Sequence, residues 1–68
     1  MTFTIEYEQE VDGRWLAEVL ELSGVLAYGE TEQEAIAKVQ ALALRVVADR
    51  LEHGEVPPDM MDIRFAAA

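Results

Sequence analysis

Apolar and polar residues alternate strictly from Thr2 to Gln9. Phe3, Ile5 and Tyr7 share one side and Thr4, Glu6 and Glu8 the other, which predicts a strand with one wet face. "VDGR", Val11 to Arg14, reads as a turn, and "RWLAEVLEL" after it as a second strand. A two-residue loop at Asp12-Gly13 would set Tyr7 opposite Glu18, whereas a three-residue loop, Val11-Asp12-Gly13, sets Tyr7 opposite Ala17 and Ile5 opposite Val19. The second register keeps the Glu18 carboxylate off the apolar face and puts Gly13 at the left-handed position such a hairpin requires. Trp15, Ala17 and Val19 then join the core side. Leu16, Glu18 and Leu20 join Glu6 and Glu8 on the outer side. "LSG", Leu22 to Gly24, predicts a second turn and "VLAYG", Val25 to Gly29, a short third strand, giving an antiparallel meander.

The period then changes. From about Glu32 to His53, Ile36, Val39, Ala43, Val46 and Val47 recur at helical spacing as a core stripe. The apolar arc continues through Leu51, Leu44, Ala37 and Ala48 on one side and Leu42 on the other, spanning roughly 200° where a surface helix needs about 100°. One three-stranded sheet cannot cover it all. The surplus flank, with Ala37, Ala41, Leu44 and Ala48, is a candidate contact with a second protein surface. Glu34–Lys38 and Arg45–Asp49 are spaced as ion pairs on the solvated side. Gly54 is expected to cap the C-terminus, and Pro57-Pro58 prevent continuation.

"MDIRF", Met61 to Phe65, alternates again and predicts a fourth strand at the sheet edge, with Met61, Ile63 and Phe65 inward. Such an edge could instead pair with another subunit, so Ile63 and Phe65 join the helix flank as candidate self-association residues. The final Ala66-Ala67-Ala68 is expected to fray. The reading is an α+β domain over residues 1–68: a three-stranded antiparallel meander, one long helix packed on it and a short C-terminal strand, in the order β-β-β-α-β.

"GETEQEA", Gly29 to Ala35, crowds three glutamates around one threonine. Thr31 followed by Glu34 is a capping box, with the hydroxyl accepting from the Glu34 N–H and the carboxylate returning to the Thr31 N–H. Glu32 and Glu34 suit the positive end of the helix dipole, and Gly29 lets the chain bend from strand into helix. A metal site would need Glu30, Glu32 and Glu34 to converge, yet successive helix positions diverge by about 100°.

Size and charge sharpen the picture. A 68-residue chain buries a marginal core. Without cysteine it has no disulfide or thiolate–metal staple, so self-association into a dimer or tetramer is expected. No apolar run could span a bilayer and no basic-then-apolar start marks a signal peptide, so the expected location is the cytoplasm. The net charge is −9, with residues 1–34 carrying nine acids and only Arg14 as a base. Such a surface repels phosphate backbones and attracts basic proteins, so no direct nucleic-acid binding is expected. Catalysis finds no footing: Ser23 has no histidine near it in sequence, His53 is the only histidine and suits a helix cap, and no glycine loop cradles phosphate. No cofactor or metal is expected.

Two segments carry a resemblance. "DGRWLAEV" is similar to an Asp-Gly, aromatic, Ala-Glu-Val strand, and "LELSGVLAYGETEQEA" to a Glu-Leu-x-Gly turn followed by Gly-x-Thr-x-x-Glu-Ala. In this order and spacing, over Phe3 to about Leu51, the chain resembles the HicB-like antitoxin family. Leu20 and Ser23 stand where that family usually has prolines, and Val25 where cysteine is common. The resemblance implies a partial RNase H-like fold without its metal-binding carboxylates. It also implies a partner: a small basic HicA-like toxin that cleaves mRNA. The larger relatives' DNA-binding module is not expected here. Glu6, Glu8, Glu10 and Glu18 are the candidate contacts. The alternative is a solitary homo-oligomer of the same fold.

Overall fold

The computed structural model describes residues 1–56 and 62–68. The elements are β1 (Thr2–Gln9), β2 (Trp15–Val19), β3 (Leu26–Gly29), α1 (Glu32–Glu52) and β4 (Arg64–Ala67). They form one mixed sheet in the order β3-β2-β1-β4, with α1 on one face. β1 pairs antiparallel with β2 and parallel with β4, so the first strand lies inside the sheet. This is the α+β architecture that the hydrophobic pattern predicts. The expected breaker Pro57-Pro58 and the inward Met61 lie outside the described residues.

The first hairpin has the three-residue loop. Ile5 faces Val19, Tyr7 faces Ala17, and Gly13 takes φ 93°. Glu10 N–H donates to the Arg14 carbonyl at 2.7 Å and Gly13 N–H to that of Glu10 at 3.0 Å. Asp12 seals the turn by accepting from the Arg14 N–H (3.0 Å) and Nε (2.8 Å), which hold its carboxyl below the ordinary range.

β2 is shorter than the alternation predicts: it stops at Val19 rather than running to Leu22. Val19 N–H donates to Val25, Leu22 N–H to Val19 and Val25 N–H to Leu22, so two linked turns swing Leu22 and Val25 into the core. Leu20 N–H still donates to the Thr4 carbonyl. The answering acceptor is a side chain: Glu21 takes the Thr4 N–H and hydroxyl, both at 2.7 Å. Those bonds hold the Glu21 pKa below its ordinary value of 4.5, the hydroxyl contributing most. A depressed folded pKa gives stability that is complete above the unfolded value and is lost as pH falls through the folded one. Urea midpoints followed downward from neutral pH are therefore expected to fall below pH 4.5. Glu21→Gln, which lacks the charge, should start lower and lose part of that decline.

The helix presents Ala35, Val39, Ala43 and Val47 as its fully buried row, with Ile36, Leu42 and Val46 half-buried beside it. The expected stripe therefore gains Ala35 at its N-terminal end. Together with Ala17, these alanines let α1 approach closely. Across the sheet the core is Phe3, Ile5, Ala17, Val19, Leu22 and Val25.

The helix caps differ in part from expectation. Thr31 Oγ1 accepts from the Glu34 N–H at 3.1 Å, but Glu34 bonds forward to Lys38 Nζ at 2.9 Å. The box is thus half made, and the Glu34 pKa is lowered, first by Lys38. Asp49 lies 3.5 Å from His53 Nδ1, not paired with Arg45 among the described residues. At the C-terminus Glu55 N–H donates to Arg50 and Gly54 N–H to Leu51, with Gly54 at φ 73°. That double bond pattern is a Schellman stop.

β4 begins later than the alternation suggests. Ile63 and Phe65 turn inward, with the Phe65 ring 5.8 Å from Phe3. Ala66 and Ala67 are strand residues rather than frayed, because Ala68 N–H donates to the Ile5 carbonyl at 2.9 Å. Arg64 N–H donates to Met1 at the other end of the ladder.

Candidate functional site

With α1 covering one face, the sheet's other face is open among the described residues. Strand periodicity puts Thr2, Thr4, Glu6 and Glu8 of β1 there, with Leu16 and Glu18 of β2, Leu26 and Tyr28 of β3, and Arg64 and Ala66 of β4. Two rows cross it. One runs Leu26, Glu18, Glu6; the next runs Tyr28, Leu16, Glu8. Three of the four sequence-predicted contacts, Glu6, Glu8 and Glu18, are therefore adjacent. Glu10 continues the same side at the hairpin, opposite Arg14, and is half-buried.

The charge is arranged with little compensation. Glu6 stands directly opposite Glu18, a like-charge pair that costs a few tenths of a kcal/mol or more. Arg14 is engaged at the hairpin by Asp12 at 2.8 Å, and its guanidinium lies 4.5 Å from the Tyr28 ring centroid. Arg64 sits at the far corner, opposite Thr2.

The face also carries apolar groups that a purely solvating surface would not need. Leu26, Tyr28 and, past the end of β2, Leu20 are 42%, 39% and 51% exposed. Leu16 is half-buried between them. The alternation already places Leu16 and Leu20 outward. Leu26 and Tyr28 could have been found from it too, once the second turn fixes Leu26 opposite Glu18.

The residues expected to self-associate fall into two sets. Ala37, Leu44 and Ala48 are exposed on α1. Ile63 and Phe65 pack half-buried against their own core. Among the described residues no group of three or more His, Cys, Asp or Glu side chains could hold a metal ion, and no helix is long and apolar enough to cross a membrane. Every buried side-chain polar atom described has a partner.

No family model matches this chain, and neither the curated proteins nor the solved structures give a match.

Proposed function

We propose that this chain is a protein-binding module whose open sheet face docks a small basic protein, and that it acts as an antitoxin of the HicB-like kind, covering the RNA-binding surface of an mRNA-cleaving, HicA-like toxin. One observation carries the reading: exposed leucines and a tyrosine interleave with Glu6, Glu8 and Glu18 on a face that none of the described residues covers. Carboxylates in such an array mimic the spacing-tolerant negative charge of a nucleic-acid backbone. They speed encounter with a cationic surface and set its register. The apolar side chains supply affinity, at about 1.5–3 kcal/mol for each one fully buried and less for these half-exposed ones. Occupying the toxin's RNA-binding surface would block its substrate without any chemistry by this chain.

The test is co-expression with a candidate small basic HicA-like protein, followed by affinity purification and calorimetry across salt concentrations. A complex retained at low salt, weakening as salt rises and suppressing RNA cleavage, is expected. No retained protein at low salt would refute the toxin reading. A second reading, a homo-oligomer acting without such a partner, is favoured by a different surface, the exposed Ala37, Leu44 and Ala48 of α1.

A further inference from the structure

β1 has eight residues and its parallel neighbour β4 only four. Leu20 N–H donates to the Thr4 carbonyl on the β2 side, whereas the Arg64 and Ala68 N–H groups donate to the Met1 and Ile5 carbonyls on the β4 side. Backbone groups alternate in direction along a strand, so Thr4, Glu6 and Glu8 turn theirs to β2, and Phe3, Ile5, Tyr7 and Gln9 turn theirs to β4. The pairing with β4 stops at Ile5. Tyr7 and Gln9 therefore hold out their N–H and C=O groups with no backbone partner on that side among the described residues. A row of this kind is a template for an added strand.

The two sides of that row differ in chemistry. A helix is about 10–12 Å across and strands lie about 4.8 Å apart, so one helix shields roughly two strands. Here α1 lies mainly over β2 and β3. The inner side is left with a groove of about 150 Å³, lined by Ile5 and Tyr7 of β1, Phe65 to Ala67 of β4, and Ile36 and Gln40 of α1. None of these residues is charged. A space of that order holds about one benzene-sized group. Tyr7, at its rim, is 36% exposed. On the outer side the same stretch of β1 presents the exposed carboxylates of Glu6 and Glu8.

We propose that this notch receives an extended segment of another protein, added to the sheet beside Tyr7 to Gln9, with residues in the order apolar, basic, apolar. The main chain of the segment bonds to Tyr7 and Gln9. Its side chains alternate across the sheet. Those opposite Tyr7 and Gln9 fall on the inner side, where one enters the groove. The one between them falls on the outer side, where a lysine or arginine meets the Glu8 carboxylate.

Both sides of the notch select this occupant. Unpaired backbone groups call for an extended chain, the groove for uncharged side chains, and Glu8 for a cation. The strands of a second copy fit poorly. Its β1 and β2 carry Glu6, Glu8 and Glu18 outward and would set like charges together. Its Ile63-Arg64-Phe65 has the right order, but both apolar side chains are packed against their own core. The inference goes beyond the toxin reading and does not need it, because the site is an edge of the sheet and any protein with such a segment fits it.

Calorimetry of the purified chain with end-capped synthetic heptapeptides tests it. A peptide of alternating valine and lysine is expected to bind at least tenfold more tightly than one with the same residues but its lysines grouped at one end. Methylating the backbone nitrogens of the valines or, separately, of the lysines should abolish binding in one case and spare it in the other, because only one set faces β1. Ala67→Phe fills the groove without adding charge, and should weaken binding of the alternating peptide at least tenfold while the circular dichroism spectrum is unchanged. Glu8→Gln should weaken it several-fold, and Glu52→Gln, at the far end of α1, should not. No binding of the alternating peptide, equal binding of the grouped one, or equal binding of both methylated ones would overturn the proposal. Loss of these peptides beside intact capture of a basic partner would leave the open face as the only contact.

Discussion

Gly29→Ala is expected to remove a large share of the protein's stability. A Cβ at this position would lie 2.5 Å from the Ala35 backbone nitrogen and 3.0 Å from the Ala35 Cα and the Glu34 carbonyl carbon. All three are helix backbone atoms, so no side-chain rotation relieves the clash. Either the first turn of α1 lifts off β3 or the strand retreats, and both open the core at Ala35. Overpacking of this kind costs about 1–3 kcal/mol, occasionally more. A domain of this length has roughly 3–10 kcal/mol in total at the usual stability per residue. The urea midpoint should therefore fall by a third or more with the slope unchanged. Gly13→Asn is the control. Gly13 needs its positive φ of 93°, which asparagine tolerates, and a Cβ there meets nothing within 4 Å. A small loss at Gly13 beside a large one at Gly29 separates close approach from backbone conformation.

Reversing charge on the open face should move stability and binding in opposite directions. Glu18→Lys replaces a like-charge cross-strand pair with an attractive one, so the free chain should gain about 0.2–1 kcal/mol. The double variant Glu6→Lys with Glu18→Lys loses that gain but reverses the sign at the centre of the face. Capture of a basic partner should then drop by at least tenfold, mostly through slower association, and lose much of its salt dependence. A double variant that binds as wild type does would remove the acidic face from the contact. Leu26→Ala with Tyr28→Ala tests the other half of the patch. Its effect should appear in the dissociation rate, because buried apolar anchors hold a complex together after the charges have steered it.

How much of this was legible in the sequence varies by residue. The register of Ile5 against Val19 could be read because a wrong loop length would have turned Glu18 into the core. The short β2 could not. Continued past Val19, the alternation would put Glu21 on the core face and Leu22 outside, and how the chain leaves the ladder to bury Leu22 instead is set by the Glu21–Thr4 bonds and the Val19–Val25 bond. Ala35 is not legible as core because alanine gives little hydrophobic signal, although its burial depends on the bare face of Gly29. Gly29 reads in the sequence as a bend between strand and helix; the positive φ values fall elsewhere, at Gly13, Gly24 and Gly54. Its role is a distance between two elements, which no local pattern encodes. For Glu34 the sequence offers two partners, the Thr31 N–H and Lys38, and the structure makes the second, because Lys38 one turn on offers charge as well as a hydrogen bond. Of the acidic face, the glutamates follow from alternation alone, while their apolar companions on β3 require the second turn to be placed first.

The position of β1 has a consequence for the order of assembly. Its partners on one side are Trp15 to Val19, a few residues away; on the other they are Arg64 to Ala67, nearly the whole chain away. The meander and helix can close through nearby contacts, while the parallel pairing must wait until a long loop has been drawn in, at an entropic cost that grows with its length. During synthesis the Phe3 and Ile5 edge therefore emerges from the ribosome long before its permanent neighbour exists, and it is the place where a newborn chain is most open to capture by another strand.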